Sequence, residues 1–517
     1  MGATFRESLN WLHTWTGLVV GVLLFAVFWT GTLCVFDREI DRWMMPSTRL
    51  SYAGEPAAID GLREEALRLA PPGTPWAIGL PSARDPFVWI GYRAATGIER
   101  KLFDPASLAP LADPGSWAAT RFFFPFHYML HINAWDIGLW LVGFAGMAML
   151  VLCVSGVIIH RRIFADFFTL RRSRQPQRLL LDLHNTAGVL GFLFYVVMAL
   201  SGVTIFASVY FPSGVTAGFE DGRAGYVRDA YDMYTRPPAG RPGSPLASLD
   251  AMLATAREGW GGLPPRLVRV MNHGDAHAVV EVWPAVEAEV AMRSDPVYFD
   301  ASTGAVLHRA AIRPVTWIQQ YLTGLHFVQY RHWVLRWIYF LLGLLGCLLI
   351  ATGLLFWVET RRKAHAAAGL PGVRLVEGLA VGGTAGLIVA TLAFLVANRL
   401  LPAGATFFGN QRHELEIWIF FAVWVGSLVH GWWRPGRAWI EQCRIVAGLA
   451  LAAIALNAVT TGDHLVRTVT QGRWAVAGTD LVLLAAAGIA VVTARRLQRR
   501  RALRQHDRLA FQEGVPS

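Results

Sequence analysis

The sequence predicts an all-α polytopic membrane protein of about eight transmembrane helices, with two small α+β domains carried outside the bilayer on one side. Three observations predict it. The chain of 517 residues is 54% hydrophobic and only 16% charged, with a mean hydropathy of +0.38, which is too apolar for an ordinary soluble protein. Eight stretches are long enough to cross a hydrocarbon core of about 30 Å, which takes roughly 20 helical residues. The first four of those stretches fall into two copies of one unit, each a span, an outer segment and a second span.

In chain order, residues 1–36 hold the first span, 37–120 the first outer domain, 121–160 an interfacial segment with the second span, and 161–182 a basic loop. Residues 183–207 form the third span, 208–315 the second outer domain, 316–358 an interfacial segment with the fourth span, and 359–375 another basic loop. Four further spans occupy 376–494, ahead of a basic tail at 495–517. In the first outer segment IDGLREEALRLA has helical periodicity, and PFVWIGYRA and ERKLFDP read as strands. The second repeats that order with SPLASLDAMLATAREG as helix and RLVRVMN, AHAVVEVW and DPVYFDASTGAVLHR as strands, so each segment is of a size to stand alone.

Basic residues collect in alternate connections: RRIFADFFTLRRSRQPQR, ETRRKAH, WWRPGRAWIEQCR and ARRLQRRRALRQ. By the positive-inside rule these segments and both termini are cytoplasmic, which accounts for the net charge of +11. The charge is spread over short membrane-flanking pieces rather than gathered in one soluble domain, so no nucleic-acid partner is expected. The first span is too long for a signal-peptide core and reads as uncleaved. Cys34, Cys153, Cys347 and Cys443 lie in or against spans with no CxxC spacing, and read as small apolar core residues.

The repeat is carried by particular residues. Span one, LHTWTGLVVGVLLFAVFWTGTLCVF, and span three, LHNTAGVLGFLFYVVMALSGVTIF, each open with Leu-His, then Gly at +4 and a Thr-Gly or Ser-Gly pair ending at +18, so that 184 − 13 gives an offset of 171. Spans two and four share Trp140 and Trp337, and Ser155-Gly156 and Thr352-Gly353, at an offset of 353 − 156 = 197. His13 and His184 therefore open spans that start at the same face and share one depth. On the other side FHYMLH places His127 and His131 four apart, on one face if the segment is a continuous helix. His326 precedes span four in the same way, and 326 − 197 = 129 falls midway between the two, so the repeat leaves open which of them is its counterpart.

A lone histidine at a membrane edge is explained by interfacial hydrogen bonding. Two repeat-related histidines at one depth, a second group at the other, and small residues facing them (Gly17, Gly31, Gly156, Gly188, Gly202, Gly353) point to two bis-histidine haems stacked across the bilayer. A flat macrocycle needs that clearance. His160, in SGVIIHRR, lies at the depth of His13 and His184, but its repeat partner is Trp357, which makes it a reserve ligand. Zinc is the weaker reading, because neither FHYMLH nor the GDAH stretch with His273 and His277 has the HExxH arrangement. No Asp, Glu or Lys lies in the central part of any span, which argues against an ion-coupled permease and not against an electron conduit.

The Leu-His openings, FHYMLH, SGVIIHRRIFADFFTLR, LDLHN and IATGLLFW resemble the PepSY-associated transmembrane family, which includes bacterial inner-membrane ferric-siderophore reductases; DPVYFDASTGAVLH resembles the last strand and turn of a PepSY domain. The resemblance covers roughly residues 5–365. It implies PepSY-like periplasmic domains and haem-dependent reduction of a ferric siderophore or other ferric chelate on the periplasmic side of the inner membrane. It implies two haem b groups with ligands among His13, His184, His326 and His127 or His131, and with less force His160. The chain has no GxGxxG after a strand and no cytoplasmic domain large enough for flavin or nicotinamide, so electrons are expected from quinol or a cytoplasmic reductase. Two alternatives belong to other classes: a haem-free PepSY membrane anchor that regulates a peptidase, and a siderophore or peptide permease.

Overall fold

The computed structural model describes residues 4–160 and 176–512 apart from 52, 53, 55, 72, 95 and 96, so most of the first basic loop, including RRIFADFFTLRRSRQ, lies outside the described residues. Among the described residues eight helices are long and apolar enough to cross a membrane: Phe5–Cys34, Ala134–Ile159, Pro176–Ile205, Trp333–Ala367, Gly372–Leu400, Arg412–Trp433, Ala438–Thr461 and Trp474–Leu503. They coincide with the eight apolar stretches of the sequence and make this a membrane protein. The chain separates into two compact units, one of residues 1–46, 115–199 and 338–517, the other of residues 47–114 and 200–337.

The first unit is helical. Its first and second spans pack together, the fifth packs on the sixth and seventh, and the eighth packs on the seventh; the fifth is 83% buried over its apolar window. That span is broken at Thr384, where φ is −109° and ψ −77°, into helices Gly372–Gly383 and Ala385–Leu400. Glycines let its neighbours close on it: a Cβ on Gly382 or Gly386 would lie within 2.5 or 2.6 Å of Leu428 or Ser427. Small residues at close helix contacts do in lipid what apolar burial does in water, since lipid tails are no less apolar than leucine.

The second unit holds an antiparallel seven-stranded sheet in the order β3-β2-β1-β4-β5-β6-β7. Its strands are β1 (Trp76–Gly79), β2 (Val88–Ala94), β3 (Gly97–Phe103), β4 (Pro265–Met271), β5 (Val279–Pro284), β6 (Val297–Asp300) and β7 (Val306–Arg309). The sequence reading gives two α+β domains, each able to stand alone; the structure instead joins both outer segments in one sheet. The seam is β1 against β4, with Ile78 opposite Val268. One apolar core follows, in which Trp76, Ile78 and Ile90 of the first segment pack with Val268, Val280 and Phe299 of the second. The physical reason is that β1 and β4 would each leave an apolar edge unpaired in a separate domain, and each supplies what the other lacks.

Reciprocal helix caps reinforce the seam. Asp250 accepts from the backbone amides of Ile59 and Asp60, both at 3.0 Å, while Asp60 accepts from the Leu249 amide at 2.8 Å and the Ser248 hydroxyl at 2.6 Å. Each carboxylate therefore satisfies orphan N–H groups at the start of the other segment's helix.

Two further carboxylates make this unit acid-sensitive. Arg68 and Lys101, each 2.6 Å from Glu65 Oε1, hold the Glu65 carboxyl down to about 2. Burial pushes Asp300 up, but the Ser302 hydroxyl, the Arg236 guanidinium at 2.8 Å and the backbone amides of Thr303 and Ser302 outweigh it and hold the group well below the usual carboxylate range. Both groups are more acidic folded than unfolded, so their stabilisation is complete above the unfolded carboxylate range and is lost as pH falls through the folded values. The expected outcome is a melting temperature, read by tryptophan fluorescence of the full chain, that drops progressively from about pH 5 down to about pH 2. The drop is expected to be shallower in Glu65→Gln; equal slopes would show that this pair does not contribute.

Candidate functional site

His13 of the first span and His184 of the third face each other in the helical unit, with ring centres 6.4 Å apart and ring planes at 86°. That spacing has a chemical meaning. Metal–imidazole bonds run about 2.0–2.1 Å, and each ring centre lies ~1.1 Å beyond its nitrogen, so two imidazoles in line through one ion have centres roughly 6.2–6.4 Å apart.

The protons are placed to suit ligation. His184 Nδ1 donates to the Leu349 carbonyl at 2.9 Å, since a carbonyl only accepts. His13 Nδ1 lies 2.9 Å from Ser155 Oγ, whose own hydrogen is given to the Val151 carbonyl at 2.7 Å, so here too the ring donates. Both rings thus carry hydrogen on Nδ1 and a lone pair on Nε2. Fixing the tautomer through the far nitrogen is what outer partners do for metal-bound histidine.

Space for a planar group is present. A cavity of about 1020 Å³, lined by both histidines and by Gly17, Gly156, Gly188 and Gly353, lies between the first four spans. A Cβ on Gly353 would approach His184 Cε1 to 3.1 Å, and one on Gly156 would approach His13 Cε1 to 3.4 Å, so each ring packs on a glycine. The donor set, the ring spacing and the glycine walls all fit a bis-imidazole haem.

FHYMLH behaves differently from the continuous helix assumed for it. The helix Thr120–Met129 ends there, and Leu130 and His131 take left-handed backbone angles with φ of 54° and 56°. His127 and His131 therefore do not share a helix face. His131 turns back, donates from Nε2 to the Phe122 carbonyl at 2.8 Å and stacks on the Phe122 ring at 5.0 Å. His127 instead donates from Nδ1 to the Val27 carbonyl at 2.9 Å and packs on Gly31, where a Cβ would come within 2.7 Å of Cε1.

In the other unit, His326 on the helix Pro314–Phe327 pairs Nδ1 with Ser201 Oγ at 2.9 Å, and a Cβ on Gly202 would lie 3.0 Å from its Cε1. Gly31 and Gly202 stand at the offset 202 − 31 = 171, the same as His13 and His184. By this correspondence His127 is the counterpart of His326, and His131 stands outside the pairing. A rule covers all four rings: each packs on the glycine of a Ser-Gly or Thr-Gly pair. Where the pair is Ser-Gly the ring meets the serine hydroxyl, and where it is Thr-Gly it meets the carbonyl four residues before the glycine. The sequence shows these four pairs but not this division of labour, which makes Ser155 and Ser201 the orienting residues that sequence reasoning missed.

His160 lines the same cavity as His13 and His184 and accepts from Asn185 Nδ2 at 3.1 Å. His273 and His277 each pair Nδ1 with a backbone carbonyl, of Thr74 at 2.8 Å and Pro237 at 2.9 Å. Among the described residues no group of three or more His, Cys, Asp or Glu side chains is arranged to hold a metal ion.

The helix carrying His127 is braced by the C-terminal spans. Its Phe122, Phe123 and Phe126 are buried against Phe394 of the fifth span and Phe420, Phe421 and Trp424 of the sixth. Its N-terminus is capped by Asp41, which accepts from the amides of Ala119 at 2.7 Å and Thr120 at 2.9 Å. Burial pushes the Asp41 carboxyl up to about 7 against the pull of Arg38. Trp43 next to it donates to Asp480 of the eighth span at 2.8 Å, and Ser116 donates to Glu416 of the sixth at 2.6 Å. The buried acidic groups of the C-terminal spans thus have structural partners.

The family described as PepSY-associated TM region matches residues 10–360. An uncharacterized protein of Pseudomonas aeruginosa is 28% identical over 368 residues, covering 66% of this chain and 86% of its own length.

Proposed function

Because the chain belongs to the PepSY-associated transmembrane family, we propose that it is a di-haem b-type electron conduit of the bacterial inner membrane that reduces a ferric siderophore or similar ferric chelate in the periplasm and so releases Fe(II) for uptake. The observation that carries this reading is the His13–His184 pair, at the ring spacing of two axial ligands and with both Nδ1 protons engaged. Bound haem supplies a one-electron Fe(III)/Fe(II) couple, and bis-histidine ligation suits electron transfer rather than oxygen binding. His13 and His184 would hold the iron, each ring keeping its Nε2 lone pair for it while Nδ1 is engaged. Ser155 and Leu349 fix the ring orientations, and Gly156 and Gly353 leave room beside them.

A second haem is proposed with His127 and His326 as its ligand candidates, supported by the same ring-on-glycine arrangement in each unit. The positive-inside rule applied to the basic loops supports a reading in which both termini are cytoplasmic and the outer segments periplasmic. One electron converts Fe(III) to Fe(II), a poorer match for hard oxygen chelators, and the chelator is left unchanged. The electron comes from quinol, which gives up two electrons and two protons, or from a cytoplasmic reductase.

An absorption spectrum of the purified full chain tests this. The expected result is a sharp Soret band that shifts on dithionite reduction, with about two haems per chain. A colourless, iron-free preparation from haem-supplied cells would overturn the reading and leave the haem-free anchor or the permease.

A further inference from the structure

The cavity that holds His13 and His184 has a polar rim at the end where the first span begins, and the ligand pair leaves that rim unexplained. We propose that this rim is a carboxylate-binding site built from Arg6 and Arg361 with His160, Asn185 and Trp357, and that it takes the two propionate groups of the haem. The proposal rests on the haem reading above and adds to it which edge of the macrocycle faces the rim and what holds it.

Both cations are in place, and among the described residues neither has an acidic partner. Arg6 donates from Nε and Nη2 to the Ile159 carbonyl, at 3.1 and 2.5 Å, which anchors the guanidinium at the cavity mouth with Nη1 unengaged among the described residues. Arg361 lies over the Trp357 ring at 4.7 Å and has no acidic partner among the described residues. Glu7 is the single carboxylate among the described lining residues, and it accepts from the Thr4 amide at 2.7 Å and the Thr4 hydroxyl at 2.9 Å. An apolar membrane cavity lined by two guanidinium groups calls for an anion, and guanidinium is matched in shape to carboxylate.

Two orphan donors point the same way. His160 Nε2 accepts from Asn185, so its hydrogen is on Nδ1, which is buried with no partner among the described residues. Trp357, 7% exposed, has its indole Nε1–H buried and equally unpartnered. Buried N–H groups are rarely left so, and each instance asks for an acceptor. These two stand at the offset 357 − 160 = 197, the spacing that relates Gly156 to Gly353. The two halves of the cavity thus each contribute one arginine and one neutral donor, which suits a ligand with two carboxylates on one edge. A quinol, whose oxygens are neutral, gives the arginines no charge to pair with.

The test uses detergent-solubilised, haem-depleted full chain titrated with haem or with haem dimethyl ester, whose carboxylates are blocked. Wild type is expected to take haem about tenfold more tightly than the ester in one of its two binding phases, whereas Arg6→Gln/Arg361→Gln binds the two within about threefold in that phase. Arg6→Lys/Arg361→Lys should restore the preference, which separates loss of charge from loss of fold. In redox titration the double glutamine variant should lower one haem wave by about tenfold in reduced-to-oxidised ratio, which is about 59 mV for one electron, and leave the other unmoved. Equal affinity of wild type for haem and ester, or a preference that survives the glutamine pair, overturns the proposal while the haem reading stands. A wild-type chain that takes up neither compound overturns both.

Discussion

Replacing His184 with alanine is expected to remove one haem of two and leave the spectrum of the other unchanged, with the same result for His13→Ala. Either ring alone would leave the iron one axial nitrogen short, and His160, the third histidine lining the cavity, has its Nε2 engaged by Asn185 at 3.1 Å. Haem per chain, by pyridine haemochrome assay, should fall from about two to about one. Gly353→Ala makes a sharper test, because it removes no ligand. Its Cβ would stand 3.1 Å from His184 Cε1 and 3.2 Å from Nδ1, so the ring must give by a few tenths of an ångström, which disturbs its hydrogen bond to the Leu349 carbonyl. A perturbed Soret band in Gly353→Ala with His184 intact is the expected result. If His184 is simply an interfacial side chain, neither substitution will alter the spectrum.

Phe122→Ala is expected to cost about 3–5 kcal/mol, the usual penalty for emptying a fully buried phenylalanine site. The ring touches Phe394, Phe420, Phe421 and His131 together, so its removal unseats the helix Thr120–Met129 from the C-terminal spans. His127 rides on that helix, and the haem it serves should be lost or weakened while the His13–His184 haem is kept. Melting temperature and haem content measured on one sample separate the two effects. A lowered melting temperature with both haems retained would show that His127 does not depend on this brace. His131→Ala should leave both haems in place, because His131 Nε2 is committed to the Phe122 carbonyl.

These expectations show where the sequence was sufficient. Eight spans were legible because a helix in lipid must be apolar for about 20 residues. The four Ser-Gly and Thr-Gly pairs were legible because the repeat places them at fixed offsets, and every one of them meets a histidine ring. The choice between His127 and His131 was not, since it turns on left-handed angles at Leu130 and His131 that break the i,i+4 spacing. The role of the C-terminal spans was equally hidden, because Phe122 and Phe420 come together only through packing. The join between the outer segments escaped because β1 is a four-residue run, WAIG, with too few alternations to be read as a strand.

That short strand also sets a timetable for biogenesis. Ile78 pairs with Val268 across 268 − 78 = 190 residues, and two membrane-crossing helices are synthesised between them. Contacts of such sequence separation close slowly. At about 5–20 residues per second, the ribosome needs roughly 10–40 s to make the partner strand. For that interval the first hairpin waits with β1 as an open edge, a template for the wrong strand. Its brevity then reads as protection: four residues offer few hydrogen bonds to a stranger, yet suffice once the caps from Asp60 and Asp250 bring the halves together.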